Sequence, residues 1–147
     1  MPTAPTLKRL VAISILYMIV ALTAGVVAIA KNLPAAFGGS STSWTARQDF
    51  IYGMGTALSP PLYSLVIQLA LAALTPRSDR WGILGVIGLV VMGSFTFIGA
   101  LSAPIRNQVF NPDTFDFPKA AIMTGMILLP LFIVAFGILE WTRRRRA

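Results

Sequence analysis

The chain alternates long uncharged apolar runs with short polar segments. The apolar runs are bounded by charged residues and cover 10–30, 50–76, 81–105 and 120–139. None alternates with the period of two that a barrel strand would need, and each is long enough to cross a bilayer core of about 30 Å as a helix. The pattern therefore predicts helices, because a charge at mid-span would cost about 2.5–3.5 kcal/mol or more.

These runs predict an all-α, polytopic membrane protein: a four-transmembrane-helix antiparallel bundle in a single domain, 1–147. The expected spans cover about 10–30, 50–75, 82–104 and 119–140. The expected outer loops cover 31–49 and 105–118, and the cytoplasmic tail covers 141–147. Within the first outer loop, Thr45 and Gln48 have capping-box spacing, so a helix is expected to begin just outside the membrane.

The positive charges predict that both ends of the chain lie in the cytoplasm. With the N-terminus inside, the inner segments hold Lys8, Arg9, Arg77, Arg80 and the run 143–146. The outer segments hold Lys31, Arg47, Arg106 and Lys119. Basic residues are enriched in cytoplasmic loops, so the inequality favours this orientation. A cleaved signal peptide is the alternative for the first run, which is longer than the usual 7–15 apolar residues.

Composition supports a membrane protein and narrows the chemistry. Residues are 56% hydrophobic and 12% charged, against about one quarter charged in soluble domains. The chain has no Cys and no His, which excludes disulfides, thiolate nucleophiles and the usual zinc and haem ligands. No metal or cofactor is expected. The net charge of +7 lies mostly beside apolar runs, so nucleic acid is not an expected partner. The arginine excess suggests a bacterial inner (plasma) membrane.

The third span is rich in glycine. On a helical projection its glycines share one arc and the branched residues, Val86 and Ile87 among them, take the opposite side. The glycines are Gly82, Gly85, Gly88, Gly93 and Gly99. Helices in lipid associate through close packing of small residues, so the glycine arc is expected to face protein and the branched side to face lipid.

Two predicted spans contain proline. Pro60 and Pro61 lie in the second span and Pro130 in the fourth, and a kink is expected at both places because proline lacks the N–H of a helical hydrogen bond. Short similarities around Pro60 and Pro130 also fit a two-plus-two repeat with both broken helices at a shared axis, as in some transporters, although chance explains so short a match.

Polar residues cluster around the first proline pair. They are Thr56, Ser59, Tyr63, Ser64 and Gln68. One interpretation is a polar pocket or pathway. The simpler one is a kink whose freed carbonyls are bonded by neighbouring hydroxyls, with Gln68 bonding another helix.

The carboxylates are expected at span ends and in loops. Asp113 and Asp116 lie in the second outer loop and are expected to be solvated turn residues rather than a cation site. Glu140 is expected to pair with Arg143 or Arg144 at i+3 or i+4. The run Arg143, Arg144, Arg145 and Arg146 is expected to anchor the tail to anionic lipid headgroups.

Three functions are compatible with these features. The favoured one is a non-enzymatic accessory or scaffold subunit that associates through its glycine-rich third helix, as a homo-oligomer or within a larger membrane complex. The alternative is an oligomeric transporter or channel for a small neutral or weakly polar solute, which would use the proline-broken helices. A lipid-modifying enzyme built on Asp113 and Asp116 is the least favoured, because acids, bases and nucleophiles are few.

Overall fold

The computed structural model describes residues 5–33, 36–37, 40–41, 44–103 and 111–146. Its helices are α1 (Pro5–Ala30), α2 (Ala46–Tyr52), α3 (Leu62–Leu74), α4 (Arg80–Ser102) and α5 (Phe117–Arg146). A 3-10 turn covers Pro112–Thr114, and the two-residue strands Ala36–Phe37 and Ser40–Ser41 pair antiparallel. Apart from that short pair, the regular secondary structure of the described part is helical, as predicted.

Three helices, α1, α4 and α5, are long and apolar enough to cross a membrane. This agrees with the expectation of a membrane protein for three of the four predicted spans. The helices extend beyond the apolar runs: α1 begins at Pro5 and α5 continues to Arg146. Charged residues thus continue the same helices past the apolar core, where α-helix geometry still satisfies the backbone.

The second predicted span differs most from expectation. Instead of one helix kinked at Pro60 and Pro61, the chain forms α2, leaves helical geometry over 53–61, and resumes as α3. The interruption begins at Gly53, seven residues before the first proline, and passes through Gly55 at φ +101°. Glycine is required at 55: a Cβ there would lie 2.5 Å from the Ser59 carbonyl oxygen. Proline then fixes the start of α3, with Pro61 as its N-cap.

Pro130 behaves differently. The helix α5 continues through this residue, which is fully buried. A Cβ on Gly93 of α4 would lie 3.2 Å from the Pro130 carbonyl oxygen, so the two backbones approach closely at this point. The predicted disturbance at Pro130 therefore does not divide the helix.

The glycine face of α4 packs mainly inside the chain. Gly82, Gly85 and Gly88 lie against the end of α3 and the segment that follows it, and Gly93 lies against α5. At Gly85 an added Cβ would be 2.7 Å from the Thr75 nitrogen, so α3 and α4 are in backbone contact. Gly99 is the exception, because no atom lies within 4 Å of its Cβ position.

The opposite side of α4 is largely exposed, as expected for a lipid-facing surface, with one correction. Val86 was expected to face lipid, yet it is completely buried. The reason lies on α5, where Gly137 has no side chain and admits Val90 and the backbone at Val86. Because Gly137 lets α5 approach α4 closely, the buried side of α4 includes Val86 as well as the glycine arc.

Contacts between helix ends fix the antiparallel order. At one end, the Thr6 hydroxyl of α1 donates to Glu140 of α5 over 2.7 Å. At the other end, Lys31 lies 3.6 Å from Asp116, which precedes α5. Ala103, after α4, packs at this same end against the first turns of α5. The two chain termini therefore lie at one end of the bundle.

The predicted capping box at the start of α2 is confirmed. The Gln48 nitrogen donates to the Thr45 hydroxyl, and the Thr45 nitrogen donates to the Gln48 side-chain oxygen over 3.0 Å. The Asn32 side chain also accepts from the Ala46 nitrogen. Together these bonds satisfy N–H groups that the first turn of a helix leaves without partners.

Candidate functional site

The polar residues around the interruption mostly bond the backbone next to them. The Thr56 hydroxyl accepts from the Ser59 nitrogen over 2.9 Å and from the Leu58 nitrogen over 3.3 Å. The Thr56 nitrogen donates to the Ser59 carbonyl over 2.7 Å. This closed turn supplies partners for backbone groups that a helix would otherwise have paired.

Two serine hydroxyls also bond backbone carbonyls at the interruption. The Ser59 hydroxyl donates over 2.7 Å to the Ala21 carbonyl of α1 and so ties the interruption to the first helix. The Ser64 hydroxyl donates over 2.7 Å to the Pro61 carbonyl, at the start of α3. These contacts match the simpler interpretation of the polar cluster, in which hydroxyls bond the freed backbone.

Two members of the predicted set remain outside this network. Tyr63 is 50% exposed, so it does not share the buried site with the other four. Gln68 is 1% exposed, and among the residues that the structure describes neither its side-chain oxygen nor its nitrogen has a hydrogen-bond partner, so the bond to another helix expected in the simpler interpretation is not formed. A buried amide without partners is costly in a membrane interior, which makes Gln68 the least explained polar residue of the bundle.

Tyr17 of α1 was not among the residues predicted from the sequence. Its side chain is fully buried, and among the described residues its hydroxyl has no hydrogen-bond partner within bonding distance. Thr96 of α4 lies near this hydroxyl, although the Thr96 hydroxyl itself donates to the Met92 and Gly93 carbonyls. The available signal was a tyrosine in the middle of a span, far from the interfaces where this residue usually lies.

A second polar cluster closes the bundle at the end that holds both termini. Glu140 is fully buried and binds Arg143 over 2.7 Å and Arg144 over 2.8 Å. The predicted pairing is therefore confirmed with both arginines. Thr6 adds a third donor, so a carboxylate removed from water is surrounded by hydrogen-bonded partners.

Arg144 also caps another helix. Its guanidinium donates to the Thr75 carbonyl over 2.7 Å and to the Arg77 carbonyl over 3.1 Å, immediately after α3. The last carbonyls of a helix have no partner within it, and here a side chain from α5 supplies one. With only 14% of its side chain exposed, Arg144 acts inside the protein rather than as a free headgroup anchor.

The remaining arginines of the tail differ in their surroundings. Arg143 is half-exposed beside Glu140, and Arg145 lies over the Trp141 ring at 4.2 Å from its centre. Arg146 is exposed. The predicted headgroup-anchoring role thus remains open for Arg145 and Arg146 above all.

The turn between α3 and α4 adds an exposed ion pair to this end. Arg77 and Asp79 lie 3.0 Å apart, and Asp79 also accepts from the Gly82 nitrogen as the N-cap of α4. The hydrogen bond from Arg77 holds the pKa of the Asp79 carboxyl below its usual range.

The opposite end carries a smaller ion cluster. Asp116 lies 2.7 Å from Lys119 as well as near Lys31, and the hydrogen bond from Lys119 lowers the pKa of the Asp116 carboxyl. Asp113 is exposed in the 3-10 turn. Among the residues that the structure describes, no three His, Cys, Asp or Glu side chains lie together as a metal site.

Comparison with protein-family models, with curated proteins and with solved structures finds no match to this chain.

The buried cluster predicts a large effect for Glu140→Gln. Neutralising this carboxylate leaves Arg144 and Arg143 without their counter-ion, so we expect the free energy of unfolding to fall by about 3 kcal/mol, at the low end for a broken buried pair because Arg143 can be hydrated. Unfolding in mild detergent, followed by circular dichroism, measures the change. Asp113→Asn, an exposed carboxylate, is the control and should change stability by less than about 0.5 kcal/mol. Equal effects of the two variants would contradict the role of Glu140 as the buried counter-ion of Arg143 and Arg144.

Proposed function

We propose that this chain is a non-enzymatic, four-span protein of a bacterial inner membrane, with both ends in the cytoplasm, that serves as an accessory or scaffold subunit. The observation that carries the proposal is the use of polar side chains: in the described part they chiefly hold helix ends and the interruption together. Glu140, Arg144 and Ser59 are engaged in this way. Side chains so occupied stabilise a bundle and are not free for acid–base or nucleophilic chemistry.

The direction of the helices supports a fourth crossing. Lys31, after α1, contacts Asp116 at one end of the bundle, whereas Gly82, in the first turn of α4, packs beside Arg144 at the other. The chain between them must return across the bundle, and the segment from α2 to α3 is the part that does so. α3 alone is too short to span the hydrocarbon, but α2 and the interruption extend its reach.

The distribution of charge supports the orientation. Eight of the 12 basic residues belong to the end that holds both termini, including Lys8, Arg80 and the arginine run. Positive charge is retained on the cytoplasmic side, so this end is assigned to the cytoplasm.

Cysteine labelling tests the topology, because the natural chain contains no cysteine. Asp113→Cys and Ser78→Cys place single thiols at exposed positions at opposite ends of the bundle. We expect a membrane-impermeant maleimide to label Asp113→Cys in spheroplasts, where the inner membrane is intact, and Ser78→Cys only after that membrane is permeabilised. Labelling of both or of neither before permeabilisation would contradict a crossing by α4, the helix that separates the two positions, and the reverse order would contradict the orientation.

The part of α4 that is available to a partner helix is its second half, which ends at Ser102. The chain's own helices already occupy four of the arc glycines, so they are unavailable to a partner. Gly99 is open, and Phe95 and Ile98 beside it are exposed at 69% and 58%. A glycine next to bulky apolar side chains gives a surface on which a second helix can pack closely.

Gly99→Leu tests this surface. We expect it to weaken self-association or complex retention about tenfold, the effect of about 1.4 kcal/mol of lost packing, while leaving the stability of the single chain unchanged. Sedimentation and co-purification in mild detergent measure association. Ala135→Leu, on the exposed side of α5, is the matched control and should associate like the natural chain.

Gly85→Leu is the comparison variant, because Gly85 packs against α3 within the chain whereas Gly99 does not. This substitution places a side chain against the backbone of α3 and should destabilise the single chain itself. A Gly99→Leu variant that associates normally, or a natural chain that is strictly monomeric and copurifies with nothing, would overturn the accessory proposal.

Gln68 favours a second candidate, an oligomeric transporter or channel for a small neutral or weakly polar solute. Its unpaired amide lies on the buried side of α3, in the interior of the bundle. Polar side chains held inside a membrane at a cost often mark a solute site or pathway. The interruption before α3 adds a break of the type seen in transporters.

Liposome flux with Gln68→Leu tests this candidate. If Gln68 contacts the solute, flux of small amides and polyols should fall at least tenfold, and stability should rise by about 1–3 kcal/mol because an unpaired amide has been removed. Thr23→Val, on the exposed side of α1, is the control for removing a hydroxyl that faces away from the interior. No flux by the natural chain, or equal flux by the Gln68 variant, removes the candidate.

A further inference from the structure

An open apolar groove runs along the first half of α1, at the bundle end that holds both termini. It has a volume of about 310 Å³. One wall comes from α1 and the other from Pro76, two residues after the end of α3. The lining residues are Leu7, Lys8, Val11, Ala12, Ile15 and Pro76.

The lining of the groove is complementary to an amphiphilic ligand: it is apolar along most of its length and carries one positive charge near one end. From Leu7 to Ile15 it follows α1 for about 12 Å, at 1.5 Å per residue, over a nearly continuous apolar lining. Lys8, near the start of the helix, contributes its single charge. The Lys8 side chain is exposed and has no hydrogen bond or ion pair with any residue that the structure describes.

We propose that this groove binds an anionic phospholipid, with one acyl chain against Val11, Ala12 and Ile15 and the phosphate at Lys8. Charge complementarity selects the ligand: an unpaired cation at one end of an apolar channel matches a negative headgroup joined to a hydrocarbon chain. Basic pockets between helices at the cytoplasmic face bind anionic headgroups in this manner. The site is separate from the arginine tail, whose Arg144 is engaged by Glu140 and the end of α3.

A neutral phospholipid and non-specific attraction by the other basic residues are the competing occupants. A neutral lipid would use the apolar lining but not the charge of Lys8. General attraction would depend on any exposed cation at this end, including Arg146, and not on the shape of the groove.

Lipid titration of the whole protein in an uncharged detergent separates these cases. Phosphatidylglycerol or phosphatidylcholine is added, and bound lipid is counted by native mass spectrometry. We expect phosphatidylglycerol to bind more tightly, and Lys8→Gln to weaken its binding about fivefold, which corresponds to about 1 kcal/mol for one basic residue near a membrane surface. Ala12→Phe fills the groove and should weaken binding by at least as much.

Two controls match these variants. Arg80→Gln removes an exposed charge from the same bundle end, and Ala135→Phe adds the same ring to an exposed position on α5. Both should bind phosphatidylglycerol within twofold of the natural chain. Equal binding of the two lipids, equal losses in Lys8→Gln and Arg80→Gln, or unchanged binding in Ala12→Phe would each overturn the proposal. If Ala12→Phe lowers stability without lipid, Ala12→Leu replaces it.

Discussion

In hydrocarbon a backbone N–H or C=O group without a partner costs several kcal/mol, and no water is present to supply one. Over 53–61 the chain leaves helical geometry, and side chains supply partners for the backbone there. Thr56 closes a local turn, Ser59 bonds α1, and Ser64 bonds the carbonyl that begins α3. At the other end of α3, Arg144 bonds the Thr75 and Arg77 carbonyls. The short helix α3 is therefore held at both ends by side chains, one of them from a distant part of the chain.

Close packing of glycine explains how α3 keeps its place despite its length. Gly85 brings its backbone into contact with the end of α3, and Gly93 lets α5 approach α4 from the adjoining side. Lipid gives helices no hydrophobic reason to associate, so contact area between backbones is the main source of attraction. Four of the five arc glycines of α4 thus pack within the single chain, whereas Gly99 has no atom of the described residues within 4 Å of its Cβ position.

Three of the four spans, the capping box at Thr45 and the Glu140 pairing could be predicted, because each depends on residues close together in sequence: an uncharged run, or partners three or four residues apart. The start of the interruption at Gly53 could not be placed, because the interrupted segment is held by distant partners: the Ser59 hydroxyl donates to the Ala21 carbonyl and the Ala57 nitrogen to the Leu33 carbonyl. Val86 was assigned to lipid for a related reason. Its burial is decided by Gly137 on another helix, and periodicity along one helix carries no information about the helix that faces it.

The candidate polar pocket was also predicted only in part, because the positions of its residues are local in sequence whereas their hydrogen-bond partners depend on the fold. Composition placed hydroxyls and an amide on one segment, but their roles depend on which carbonyls the fold brings near. Once Ser59 meets Ala21 and Ser64 meets Pro61, the hydroxyls are structural, and the argument for a solute site rests on Gln68 alone among the predicted residues. The buried Tyr17 hydroxyl on α1, beside Thr96 of α4, shows that a second helix also places a polar group in the interior. The interior thus holds a hydroxyl and an amide in addition to the groups that bond the backbone, and this supports the transport candidate beside the accessory role.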